Sequence, residues 1–192
     1  MNLTTLKKTD CNDLGAFISF WSKLYIYPLA DMYDSIIHKT EFNDDDIQNL
    51  FIWKNGMILS EGKQKSLDIK IKAKIKLINF YKHQNDIDVN DFRKNFNDVS
   101  AVWKIFLLHI IKPNKFPIYD QHIHRTHNYI HKLDYSNISA SAVTDKEKEL
   151  FYFSTYLKFI NTLQNQDLKR LDEAFFAFGQ FINTKNHEKL IE

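Results

Sequence analysis

Apolar positions along this chain recur at helical spacing, and strict alternation is confined to one segment. LGAFISFWSKLYIYPLADMYDSII (14–37) is apolar helical material interrupted at Pro28, whose ring ends or kinks a helix. EFNDDDIQNLFIWKNG (41–56) opens on acidic and Asn residues suited to a helix start and closes on Gly56, suited to its end. In DIKIKAKIKLINFYK (68–82) the isoleucines alternate with lysines, a strand period. Ile71, Ile75 and Ile78 also recur at helical spacing and no hairpin partner flanks the run, so the segment is predicted helical. A strongly apolar helix follows from about Ser100 to Ile111, with Ser100 or Asp98 able to cap its start and Pro113 to stop it. Another begins near Asp120. Beyond the polar stretch YSNISASAVTD come two amphipathic helices, KEKELFYFSTYLKFINTLQ and LKRLDEAFFAFGQFI. The pattern predicts an all-α chain of eight or so helices.

Composition narrows the classes. Four glycines and three prolines among 192 residues are too few for a protein of many tight hairpins. One cysteine, Cys11, excludes an intrachain disulfide, a four-thiolate iron–sulfur cluster and a Cys-based zinc site. The start lacks an apolar signal core and no apolar run approaches membrane-spanning length, so a cytoplasmic protein without membrane contact is expected. The length fits a single compact helical domain, 1–192, with possible lobes at about 30–111 and at 1–29 with 112–192. Net charge is only +2, yet it is uneven: residues 60–82 carry seven lysines against Glu61 and Asp68. Residues 104–132 carry four lysines and Arg125 against Asp120. Such asymmetry suits a polyanion-binding face, and equally a pair of solvated helices.

The chemistry concentrates in FPIYDQHIHRTHNYIH (116–131), which holds four of the eight histidines. His124, His127 and His131 sit at i, i+3 and i+7, the spacing for three imidazoles on one side of a helix with Asp120 a turn earlier. The commoner reading of such histidines is an exposed helix face, and no metal or other cofactor is expected. Taken alone, Asp120 reads as an N-cap.

In context, Asp120-Gln121-His122-Ile123-His124-Arg125 after FLLHIIKPNKFPIYD resembles the helix-hairpin-helix DNA glycosylase superfamily, nearest its 8-oxoguanine DNA glycosylase-like branch. The similarity is clearest over residues 96–126. It implies two helical lobes with a cleft between them, duplex DNA as partner, and hydrolysis of the N-glycosidic bond of a damaged or mismatched base. Asp120 would be the catalytic carboxylate. Asn97, Ser100, Lys104, His122 and Arg125 would lie near DNA, with His122 and Arg125 either bracing the helix or contacting the backbone.

Three departures qualify the resemblance. The hairpin's Leu-Pro-Gly-Val-Gly is Phe96-Asn97-Asp98-Val99-Ser100 here, so both glycines are lost. Asn and Asp can adopt left-handed turns, which would keep the shape, but Asp98 would repel a phosphate it faced. The lysine that makes some members bifunctional is replaced by Val102, and Lys104, two residues on, lies about 200° around the helix. The iron–sulfur cluster of several branches cannot form. A non-catalytic descendant that binds nucleic acid or protein is the alternative function, and a His-dependent metal hydrolase the third. No feature of the sequence sets an oligomeric state.

Overall fold

The computed structural model describes residues 13–27, 29–163, 167–184 and 187. Among them every regular element is helical and no strand occurs. In chain order the α-helices are Leu14–Trp21 (α1), Ala30–Asp34 (α2), Asp44–Asn55 (α3), Glu61–Lys70 (α4), Ile75–His83 (α5) and Val89–Asn95 (α6). Then come Ala101–Ile111 (α7), Gln121–Ile130 (α8), Asp145–Leu150 (α9), Leu157–Thr162 (α10) and Leu168–Phe181 (α11). Short 3-10 turns span Ser22–Leu24 and Lys72–Lys74, and a π-helical segment spans Phe151–Tyr156. The kink expected at Pro28, and Cys11, lie outside the described residues. No helix among the described residues is long and apolar enough to cross a membrane.

The chain divides into two compact units, Tyr27–Ile118 and Met1–Ile26 with Tyr119–Glu192. In the first, α3 has the ends its sequence announces. Asn43 accepts the Asp46 amide and Asp46 accepts the Asn43 amide, a reciprocal capping box. At the other end Gly56 takes φ 75°, a left-handed turn that only glycine enters without cost. The alternating Ile/Lys segment is helical as predicted, but in two pieces. The backbone leaves the helical region at Ile71 (φ −120°, ψ −61°) and tightens into 3-10 geometry before α5. β-branched isoleucines at 69, 71 and 75 weaken the helix here, and the Ile71 side chain is fully buried at the bend. Helix α7 forms the unit's core, with nine of its eleven residues buried. Neither expected cap acts on it: Ser100 holds the N-cap position without a side-chain bond, and Asp98 lies outside the helix.

The second unit is built around α11, whose buried residues run from Leu171 to Gly179. Phe17 and Trp21 of α1 meet it edge-on, at 5.2 and 4.9 Å from the Phe178 ring. On α11, α8 packs so closely that a Cβ on Gly179 would fall 2.0 Å from the His122 carbonyl oxygen. Thr144 and Glu147 form a second capping box at the head of α9, which runs through the π segment into α10.

Candidate functional site

Asp120 sits where the sequence places it, as the N-cap of α8. Its backbone is extended (φ −145°, ψ 156°) and its Oδ1 accepts the His122 amide at 2.9 Å. The side chain is half-buried. Its charge is felt on both sides: burial, with Asp120 and Asp145 nearby, pushes the Tyr119 phenol up, and Asp120 opposes the downward push of burial on Arg125.

Arg125 and His122 form the bracket behind it. Arg125 is 3% exposed. Its Nη1 donates to His122 Nδ1 at 2.8 Å and to the Gly179 carbonyl at 3.2 Å, while Nη2 donates to the Ile138 carbonyl. Arginine only donates, so His122 Nδ1 accepts and the neutral ring carries its proton on Nε2. Of its two expected roles, Arg125 takes the bracing one. A side chain so enclosed cannot reach a phosphate without unpacking. His122 is half-buried, its ring edge-on to Phe176 at 5.1 Å.

The histidines are not an exposed face. His124 is 7% exposed and His127 is 3% exposed, and only His131 is open to solvent. The His124 ring stacks on Phe151 at 3.6 Å, and its Nδ1 lies 3.2 Å from the Tyr119 hydroxyl. His127 stands edge-on to Phe151, Tyr156 and Phe159. Burial, then the charge of neighbouring His127 and Arg125, pushes His124 down to about 4. Burial, then His131, does the same to His127, also to about 4. Both rings are therefore neutral aromatic packing at neutral pH. The three-imidazole face that a metal hydrolase needs is not formed, and among the described residues no group of three or more His, Cys, Asp or Glu is placed to hold a metal ion.

The remaining candidates belong to the other unit. The hairpin 96–100 is a turn closed by the Val99 amide on the Phe96 carbonyl at 3.1 Å. Neither Asn97 nor Asp98 adopts a positive φ, so the left-handed turn expected of them does not occur. Asp98 instead accepts from Lys74 Nζ at 3.1 Å, and Lys70 donates to its carbonyl at 2.7 Å. Two members of the basic segment thus brace the hairpin. Asn97 and Ser100 are exposed. Lys104 is 6% exposed, so a DNA contact there would require unpacking the side chains around it. Val102 is half-buried.

His109, in α7, is bonded at both ring nitrogens. Its Nδ1–H donates to the Phe116 carbonyl at 2.7 Å, and Nε2 accepts the Tyr33 hydroxyl at 2.6 Å. Sequence reasoning missed Thr126, whose hydroxyl donates to the Phe175 carbonyl at 2.6 Å, and Gly179, on which α8 rests. A lone glycine inside an amphipathic helix was the available signal for Gly179. Thr126 gave none. The chain matches no protein-family model, no curated protein and no solved structure.

Proposed function

We propose that the protein is a DNA N-glycosylase of the helix-hairpin-helix kind, hydrolysing the bond between an altered or mismatched base and its sugar. The observation that carries this reading is Asp120: a half-buried carboxylate at the head of a ten-residue helix, one oxygen on a backbone amide, with Arg125 and His122 packed behind. Rupture of an N-glycosidic bond builds positive charge on the sugar. A fixed carboxylate stabilises that charge and orients or deprotonates the attacking water. With valine at position 102, no amine replaces the base on the sugar, so the reaction ends at an abasic site.

The test is a base-release assay on duplexes bearing a panel of altered bases. Release is expected, with strand breakage only after alkali and no borohydride-trapped complex. Asp120→Asn should abolish release while DNA binding persists, because an amide keeps the cap but not the charge. Equal rates for the two proteins would reduce Asp120 to a helix cap.

A second reading rests on the hairpin. Without glycines or left-handed residues, and with Asp98 against Lys74, its backbone is a poor phosphate cradle. A protein that binds duplex DNA with steep salt dependence yet releases no base from any duplex would be the non-catalytic descendant.

A further inference from the structure

We propose that His127 and His131 form a two-imidazole clamp for a borderline divalent cation, with copper(II) preferred and water completing the coordination. The proposal is independent of the glycosylase reading. The two residues are one helical turn apart, joined by the His131 amide on the His127 carbonyl at 3.1 Å, and their ring centroids lie 4.3 Å apart with planes tilted by 40°. One face of Phe159's surroundings positions both: its ring meets His127 at 5.4 Å and His131 at 5.2 Å, edge-on to each.

The turn that carries His131 is pinned independently of any ligand. The Leu133 amide bonds the Asn128 carbonyl at 2.8 Å and the Lys132 amide bonds that of Tyr129 at 3.0 Å, a Schellman end to α8. It holds Lys132 at φ 56°, where a residue with a Cβ is strained, so His131 is kept beside His127 at some cost to the backbone.

The ring chemistry agrees. The hydrogen bond at His127 is made by Nδ1, a long contact of 3.5 Å to Asn128 Oδ1, which leaves Nε2 to coordinate. Donation from one ring nitrogen to an oxygen is how metal-binding histidines are commonly oriented. His131 is exposed, so an ion reaches the pair from its side. His124 cannot join, being stacked under Phe151. Two imidazoles without a carboxylate or thiolate favour copper(II) over zinc(II) and nickel(II), and give magnesium no purchase.

The test uses the full chain in a Cys11→Ser background, which removes the competing thiol, stripped with a chelator and titrated with copper(II) sulfate. Saturable binding of one equivalent is expected, with nitrogen hyperfine splitting in the copper paramagnetic resonance spectrum, and no response to magnesium chloride. His131→Ala should weaken binding by about tenfold or more. His83→Ala, which removes the rival pair with Glu41 at 2.9 Å, should leave it unchanged. Because His131 is exposed, its removal leaves the core intact. No nitrogen-bound copper in the parent, undiminished binding by His131→Ala, or loss on His83→Ala would each overturn the clamp.

Discussion

Helices α7 and α8 are nearly equal in length and both are deeply enclosed, yet they are held by opposite means. AVWKIFLLHII is mostly apolar, and its burial follows chiefly from the hydrophobic effect. Its one histidine is neutralised locally, between Tyr33 and the Phe116 carbonyl. QHIHRTHNYI is mostly polar, yet Ile123 to Thr126 and His127 form an unbroken buried run. There the enclosure depends on acceptors delivered from far along the chain: Gly179 and Phe175 on α11, and Ile138. An apolar helix needs only to be covered. A polar one must be covered by particular atoms, because each buried group left unbonded costs about 1–3 kcal/mol.

The sharpest way to break α8 without touching α7 is Gly179→Ala. In an ordinary helix this change is favourable by about 1 kcal/mol. Here the new Cβ meets backbone that cannot move aside, so a loss of about 4 kcal/mol or failure to fold is expected, read by urea denaturation. A neutral result would mean that α8 and α11 are farther apart in solution.

That dependence explains what the sequence could and could not show. Both ends of α3 were readable, because Asn43, Asp46 and Gly56 act within one turn of where they sit. The cap at Asp120 was readable for the same reason. The apolar face of α7 was readable from hydropathy, and with it the fold class. The burial of His124, Arg125 and His127 was not, since the rings and carbonyls that receive them lie 13 to 54 residues away. Nor was the burial of Lys104, because a lysine in an apolar helix reads as its solvent edge. The break at Ile71 escaped because a period of two and a period of 3.6 fit the same isoleucines.

Acid should separate the two helices next. His124 and His127 are held near 4, below the roughly 6.5 of an unfolded chain, so between those values the unfolded state binds more protons. Stability is therefore complete above about pH 6.5 and falls as pH drops toward 4, by up to about 1.4 kcal/mol per pH unit for each histidine. His109, pushed down to about 4 chiefly by burial, gives α7 one such group against two in α8. Amide protection measured from pH 7 to 5 should fall further in α8 than in α7. Equal protection in both helices would show that the imidazoles of α8 are charged or solvated in the native state.

The smallest test compares shape with chemistry. Leu108→Met in α7 preserves volume and should cost less than about 1.5 kcal/mol. Thr126→Val in α8 preserves shape equally well but removes the hydroxyl's bond to the Phe175 carbonyl, which keeps its partner within α11, and should cost about 0.5–1.5 kcal/mol. Chemical denaturation of the two variants side by side gives the difference. If valine at 126 proves harmless, the bond contributes nothing net and α8 is held by packing, like α7.

The π-helical stretch Phe151–Tyr156 has a consequence of phase. A π turn accommodates one residue more than an α turn, so the rod from Asp145 to Thr162 contains, in effect, a supernumerary residue. That extra step lets Phe151 lie against His124 while Tyr156 and Phe159, farther along, meet Phe175. Deleting Ser154, which is exposed, would regularise the helix and rotate everything beyond it by about 100° relative to α8. The aromatic wall around His127 and His131 is thus written in a count of residues as much as in their kind.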